Sequence, residues 1–167
     1  MEKTVRKRSQ KQEKSVAKDL DAKVVVASGA IWSAKGDCRS EKCLIECKTT
    51  LKDFYSVTDK VWEKIEEEAL RDDMRVPLLI VDIKDKDRYV VFDPNYFEEV
   101  YLNNYECSYK GEPKSSFRVS PEFLDKCEEA YGYHITGSLE YLKGHKKNHA
   151  LLYARFDDFV KAYKEEL

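Results

Sequence analysis

The sequence predicts an α/β protein, a central mixed sheet with helices on its faces, and three observations carry that prediction. Helical and strand periodicities alternate over the first part of the chain, in the order helix, strand, strand, strand, helix, strand, strand. The run "VPLLIVDI" is continuously apolar, as a strand buried on both faces must be. At 167 residues, 42% hydrophobic and 37% charged, the chain suits one domain with a substantial core.

The opening "MEKTVRKRSQKQEKSVAKDL" starts as a basic tail and becomes a helix, with Val16, Ala17 and Leu20 at helical spacing. Ser9 is the expected N-cap, because Gln12 three residues on completes a capping-box pattern. Val24, Val25 and Val26 read as a buried strand running into a loop at Ser28 and Gly29. "CRSEKCLIECKTT" is a hairpin, turning over Arg39 to Lys42 and returning through Cys43 to Lys48. In "SVTDKVWEKIEEEALRDD" the spacing of Val57, Val61, Ile65 and Ala69 or Leu70 predicts a helix capped by Ser56 or Thr58. A second hairpin follows, with "KDKD" turning between "VPLLIVDI" and "RYVVFD". Beyond Asp93 and Pro94 the expectation is a helical C-terminal elaboration: "SPEFLDKCEEAYGY", capped by Ser120 with Pro121 in the first position, then "SLEYLKG" and "RFDDFVKAYKEEL". Residues 1–94 are thus expected to form the functional core and 95–167 to pack on the same domain. Trp62, Ile65 and the Tyr-rich C-terminal third read as core and interface rather than base-stacking platforms.

Composition narrows the function classes. No apolar run approaches the roughly 20 residues that cross a bilayer, and no secretory signal is visible, so an intracellular, cytoplasmic protein is expected. Five cysteines at irregular positions suit reduced thiols rather than a disulfide framework, and Cys38, Cys43 and Cys47 match no zinc or iron–sulfur spacing. His145 and His149 are spaced like helical metal ligands, but nothing around them supports that use and a surface role is expected. The net charge of −2 hides an asymmetry, since Met1 to Lys52 carries 13 Lys and Arg against 7 Asp and Glu. The first third is therefore the part suited to meeting an anion such as a phosphate backbone.

The chemistry concentrates in "KGDCRSEKCLIECKTT". Strand alternation sends Cys43, Ile45 and Cys47 to one face while Glu46 and Lys48 project together from the other. A hairpin of this length brings the carboxylate of Asp37 alongside that of Glu46. Two adjacent carboxylates repel unless a cation lies between them, and oxygen ligands of this kind are what Mg²⁺ takes. Phosphodiester hydrolysis needs a metal, a nucleophilic water and a cation beside the developing charge, which Asp, Glu and Lys supply. The bland alternative is a half-solvated strand carrying a surface salt bridge, worth little to stability.

The pattern of Asp37, eight residues, then Glu46-Cys47-Lys48 resembles the PD-(D/E)xK nuclease superfamily. The surrounding order, a first helix carrying Glu13, then "VVVASGA", "LIECK", "SVTDKVWEKI" and "PLLIVDI", is similar to archaeal-type Holliday junction resolvases and their phage relatives. The likeness spans roughly Arg6 to Pro94. It implies a restriction-endonuclease-like fold, with Glu13, Asp37 and Glu46 as carboxylates of a divalent-metal site, Lys48 as the catalytic lysine and Ser28 as a loop serine near the scissile strand. The Cys47 carbonyl joins Asp37 and Glu46 around the metal, Mg²⁺ with Mn²⁺ as its substitute. The pattern departs from the family in three places: Lys35-Gly36 stand where a Pro is common, the turn between Asp37 and Glu46 is shorter than in the archaeal enzymes, and Val61 occupies the position of a helix Gln that Lys60 or Lys64 could replace. The expected function is a Mg²⁺-dependent endonuclease on four-way or other branched DNA, working as a homodimer in recombination or repair, in the host cytoplasm if the source is a phage. The alternatives are a restriction-type or repair endonuclease on the same core, and a DNA-binding protein that does not cut.

Overall fold

Strand faces that alternate in the sequence are covered by helices from both sides. The structure, a computed structural model, describes residues 2–26, 36–97, 112–124 and 137–166. Helix α1 (Glu2–Asp19) leads into β1 (Lys23–Val24), β2 (Cys38–Arg39), β3 (Cys43–Thr50) and β4 (Tyr55–Thr58). Helix α2 (Asp59–Arg71) and the hairpin of β5 (Val76–Ile83) and β6 (Asp87–Phe92) follow. After a 3-10 turn at Pro94–Tyr96 come β7 (Ser116–Val119), α3 (Pro121–Leu124), β8 (Gly137–Lys143), β9 (Asn148–Arg155) and α4 (Phe156–Glu166).

Seven strands form one sheet in the order β1-β2-β3-β5-β6-β9-β8, while β4 and β7 pair separately. Among the described strands of this sheet only β3 and β5 pair in parallel, from Cys43 opposite Val76 to Thr50 opposite Ile83, and the other neighbours are antiparallel. A parallel pair needs a crossover, and β4 with α2 supplies it. The crossover starts where the sequence signalled: Thr58 is extended and its Oγ1 accepts the Val61 N–H at 3.3 Å, an N-cap.

Two apolar layers result. On one face Cys43, Ile45, Cys47, Leu78 and Ile80 pack with Val16, Ala17 and Leu20 of α1 and with Phe156 and Phe159 of α4. On the other, Leu79, Val81 and Ile83 pack with Trp62 and Ile65 of α2 and with Val57, Phe117 and Val119 of the small sheet. Each large side chain fully buried this way contributes roughly 1.5–3 kcal/mol.

Four expectations are corrected. Helix α1 runs without interruption from Glu2, so Ser9 and Gln12 lie inside it and Gln12 is buried instead of capping. The valine strand is short: β1 ends at Val24, and Val26 is 82% exposed. "SLEYLKG" is strand β8, not a helix. Its Leu139 and Leu142 fit a helical spacing over so short a stretch, but pairing with β9 imposes period two and buries Ser138, Glu140 and Leu142 instead. His149 starts inside β9 and is buried at 3% exposure, while His145 is exposed in the turn before it. Ser28 and Gly29, and the continuation of the "SPEFLDKCEEAYGY" helix beyond Leu124, lie outside the described residues. Among the described residues no helix is long and apolar enough to cross a membrane.

Candidate active site

The site is built on the edge of β3. Strand β2 covers that edge through the pairs Arg39–Leu44 and Cys38–Ile45, so among the described residues β3 has no strand on its outer side from Glu46 onward. The register, continued by one residue, sets Asp37 opposite Glu46. Gly36 makes this possible: its φ of +70° is left-handed, and a Cβ there would stand 2.8 Å from the Leu44 side chain. The chain leaves the strand there, and the Asp37 carboxylate turns onto the edge, where its Oδ2 accepts the otherwise unpaired Cys47 N–H at 2.8 Å.

From this point three carboxylates and a lysine converge. Glu46 and Lys48 leave β3 on the α2 face, as period two requires, and their side chains pair at 2.7 Å. Glu13 comes from α1 on the other face and reaches the same open edge. Burial, then the charges of Asp37 and Glu46, raise the Glu13 pKa above the ordinary carboxylate value. Burial and then Glu46 likewise raise Asp37, outweighing the Cys47 N–H, Lys48 and Lys64, which pull it down. The charge of Asp37 acts on Glu13, and that of Glu46 on both Glu13 and Asp37, so the acids lie within reach of one another's fields. Cys38, Cys43 and Cys47 are buried free thiols on the core side and take no part in the cluster.

Lys48 is cationic in this setting. Burial alone would lower its pKa, but the Glu46 ion pair, with Tyr55 and Asp37, outweighs burial and the net shift is upward. Beside the Glu46–Lys48 pair lies a hollow of about 180 Å³ lined also by Lys60, Val61, Lys64 and Ile65. Both lysines weighed in the sequence therefore face the site, one helical turn apart, and they make the hollow suited to a phosphate. A larger hollow, about 470 Å³, lies between α1, the β5–β6 turn and the start of α4, but Asp19, Asp82, Asp85, Asp87, Asp157 and Asp158 line it. Lys86, Arg88 and Arg155 line it too, but the aspartates outnumber them and leave the lining net negative, so size is a poor guide here and the smaller hollow is the better candidate for a polyanion.

Two contributors were not legible as such in the sequence. Tyr55, half-buried at the start of β4, lies close enough to Lys48 and Glu46 for their charges to act on its hydroxyl. Gln12 donates its side-chain amide to the Lys48 carbonyl at 2.9 Å and to the Ile80 carbonyl at 3.4 Å. A signal for Gln12 did exist, since it precedes Val16 and Leu20 at intervals of four and so sits on the apolar stripe of α1.

The donor set, carboxylates without thiolate or imidazole, has the chemistry of a hard divalent cation's site. Among the described residues no three acidic, His or Cys side chains stand close enough together to enclose an ion as they lie, and Glu46 is turned onto Lys48. A cation would offset the repulsion that adds to burial in raising Glu13 and Asp37, so the residues fit in kind, and Glu46 must exchange Lys48 for the metal.

No family model and no curated protein sequence matches this chain. Among solved structures it is similar to Hjc, a Holliday junction resolvase of the archaeal hyperthermophile Archaeoglobus fulgidus, with a TM-score of 0.42 and 14% identity over 67% of this chain and 86% of that one.

Proposed function

We propose that this chain is a metal-dependent endonuclease that hydrolyses phosphodiester bonds in branched DNA, the four-way junction foremost. The observation that supports the reading is the place of Asp37. Its carboxylate is fixed on the open edge of β3 by the Cys47 N–H, between Glu13 from one face of the sheet and the Glu46–Lys48 pair from the other. A half-solvated strand with a surface ion pair has no reason to gather a third and fourth ionisable group against their own repulsion.

Asp37, Glu46, Glu13 and the Cys47 carbonyl are the groups that would hold Mg²⁺ or Mn²⁺, which when bound offsets charge on the phosphate and acidifies a water. The chain's own residues do the rest. Lys48 orients or activates the attacking water and offsets the charge that builds on the phosphate oxygens. Lys60 and Lys64 anchor the backbone of the cut strand in the hollow beside it. Ser28 belongs to the same proposal as a residue near the scissile strand. Two symmetric cuts on a junction call for two such sites, so a C2 homodimer is the natural vehicle.

One observation favours a second reading, a DNA-binding protein that does not cut: Glu46 is held by Lys48 at 2.7 Å. A single experiment separates the two. The protein is incubated with labelled four-way junction, matched duplex and single strand, with Mg²⁺ or EDTA, beside Lys48→Ala. Paired cuts on the junction, lost in EDTA and in the variant, support the resolvase reading, whereas equal cutting of plain duplex points to a restriction-type enzyme. Junction binding without cleavage under any divalent ion supports the non-cutting alternative.

A further inference from the structure

The buried polar side chains of this protein include one that spans the two halves of the candidate site. Gln12 is 2% exposed, on the face of α1 turned to the sheet, and its amide nitrogen reaches main-chain carbonyls of two adjacent strands, Lys48 on β3 and Ile80 on β5. Burying an amide among apolar neighbours is costly unless its hydrogen bonds are made, and here that cost is met only on the nitrogen side, because among the described residues the buried Gln12 Oε1 has no partner. A Leu or Met would fill the same stripe of α1, continuing Val16 and Leu20, without that cost. What the amide adds is registry: it fixes where along the sheet and at what rotation the helix docks.

Two further tethers act on the same stretch of helix. The Cys38 thiol donates to the Glu13 carbonyl at 3.3 Å, and Arg88 donates to Ser15 Oγ at 2.9 Å. Glu13 thus lies between three fixed points. The Gln12 tether differs from the others in its target, because it ends on the backbone of Lys48 itself. Helix α1 and the strand that carries Glu46 and Lys48 are joined by one side chain, adjacent to one carboxylate and bonded to the lysine's own peptide.

We propose that Gln12 is a positioning residue for this site: its buried amide sets the docking of α1 so that Glu13 is delivered to Asp37 and Glu46. The inference rests on the endonuclease reading above. Gln12 touches no substrate and acts through Glu13 and Lys48. Residues that orient ligating or reacting groups at one remove typically change activity or metal affinity by about 10- to 100-fold.

The test is a double-mutant cycle on the full-length protein, comparing wild type, Gln12→Met, Glu13→Gln and the double variant, with circular dichroism melting to show that each folds. The readouts are kcat and KM on the junction with Mn²⁺, and Mn²⁺ affinity by calorimetry without DNA. Gln12→Met is expected to lower kcat at least about tenfold with junction KM unchanged, and to weaken Mn²⁺ binding. In the Glu13→Gln background the same change has little further effect, because the group it positions is already gone. A merely structural role lowers the folded fraction equally in both backgrounds, so losses that multiply overturn the inference while leaving the endonuclease reading intact. If wild type binds Mn²⁺ without cutting, the reading fails and the cycle is judged on affinity. Wild type that neither cuts nor binds Mn²⁺ overturns both.

Discussion

Replacing Arg88 by Met has a calculable cost. Arg88, on β6, faces its cross-strand partner Asp82 and holds it by two bonds, Nε to Oδ1 at 2.7 Å and Nη2 to Oδ2 at 3.0 Å. Nη1 bonds Ser15 on α1, and the guanidinium lies over the Phe156 ring, 5.4 Å from its centroid. Both charged side chains are largely out of water, at 22% and 14% exposure. Burial disfavours the Arg88 charge, the Asp82 bonds more than compensate, and its pKa is raised. Removing one partner of a fully buried pair costs about 3–5 kcal/mol, mostly the stranded charge of the other. The residual exposure reduces this, and the Ser15 bond adds about 1, so about 3 kcal/mol is expected. For a chain of this size that lowers the melting midpoint by roughly 6–12 °C, read by circular dichroism and by urea titration without metal. Replacing both partners with apolar or neutral groups, as Asp82→Asn with Arg88→Met, restores all but about 1 kcal/mol. A loss below about 1 kcal/mol for Arg88→Met, or strictly additive losses in the double variant, refutes this account of the pair.

The other predictions concern the site. Changing Lys60 and Lys64 together to Ala weakens binding to every DNA form and makes the logarithmic dependence of affinity on salt shallower by about 2, one phosphate for each lysine, measured by fluorescence anisotropy across salt concentrations. Glu13 and Asp37 have raised pKa values in the folded chain, so their ionised forms oppose folding: that stability is present at acid pH and is lost as pH rises through the folded pKa of each. Glu13→Gln therefore makes the metal-free protein more stable than wild type at neutral pH and no more stable at acid pH, as urea midpoints across that range record, while it weakens cleavage. Gly36→Ala forces a side chain into a left-handed φ and against Leu44, costing about 1–3 kcal/mol, and displaces Asp37 enough to depress cleavage of the junction more than binding to it.

What could be read from residues alone was what local pattern decides. The alternation in "CLIECK" set Glu46 and Lys48 on one face and the thiols on the other because period two is a property of the strand itself. The helix after Thr58 and the hairpin around "KDKD" were legible for the same reason, each carrying its own stop and start signals. What failed had local patterns that a distant partner overrode. "SLEYLKG" takes its conformation from β9, and His149 is buried in β9 with its Nε2 facing the Glu63 carboxylate of α2, which accepts from it at 3.2 Å. Ser9 with Gln12 matched a capping box, yet nothing breaks the helix before it and a sheet waits for Gln12 on the other side. The three acids of the site were named from a pattern, whereas their convergence depends on how little of β3 is covered by β2, which no spacing in the sequence states.

The Gln12 amide binds a carbonyl 68 residues further along the chain, and β6 is closed by β9, near the C-terminus. Contacts so distant in sequence form late, after most of the loop-closure entropy has been spent. During synthesis the first helix therefore leaves the ribosome carrying Glu13 long before the strand that will anchor it exists. A nascent or truncated chain holds the separate acids and lysines of the candidate site but not their arrangement, which arrives only with the completed sheet.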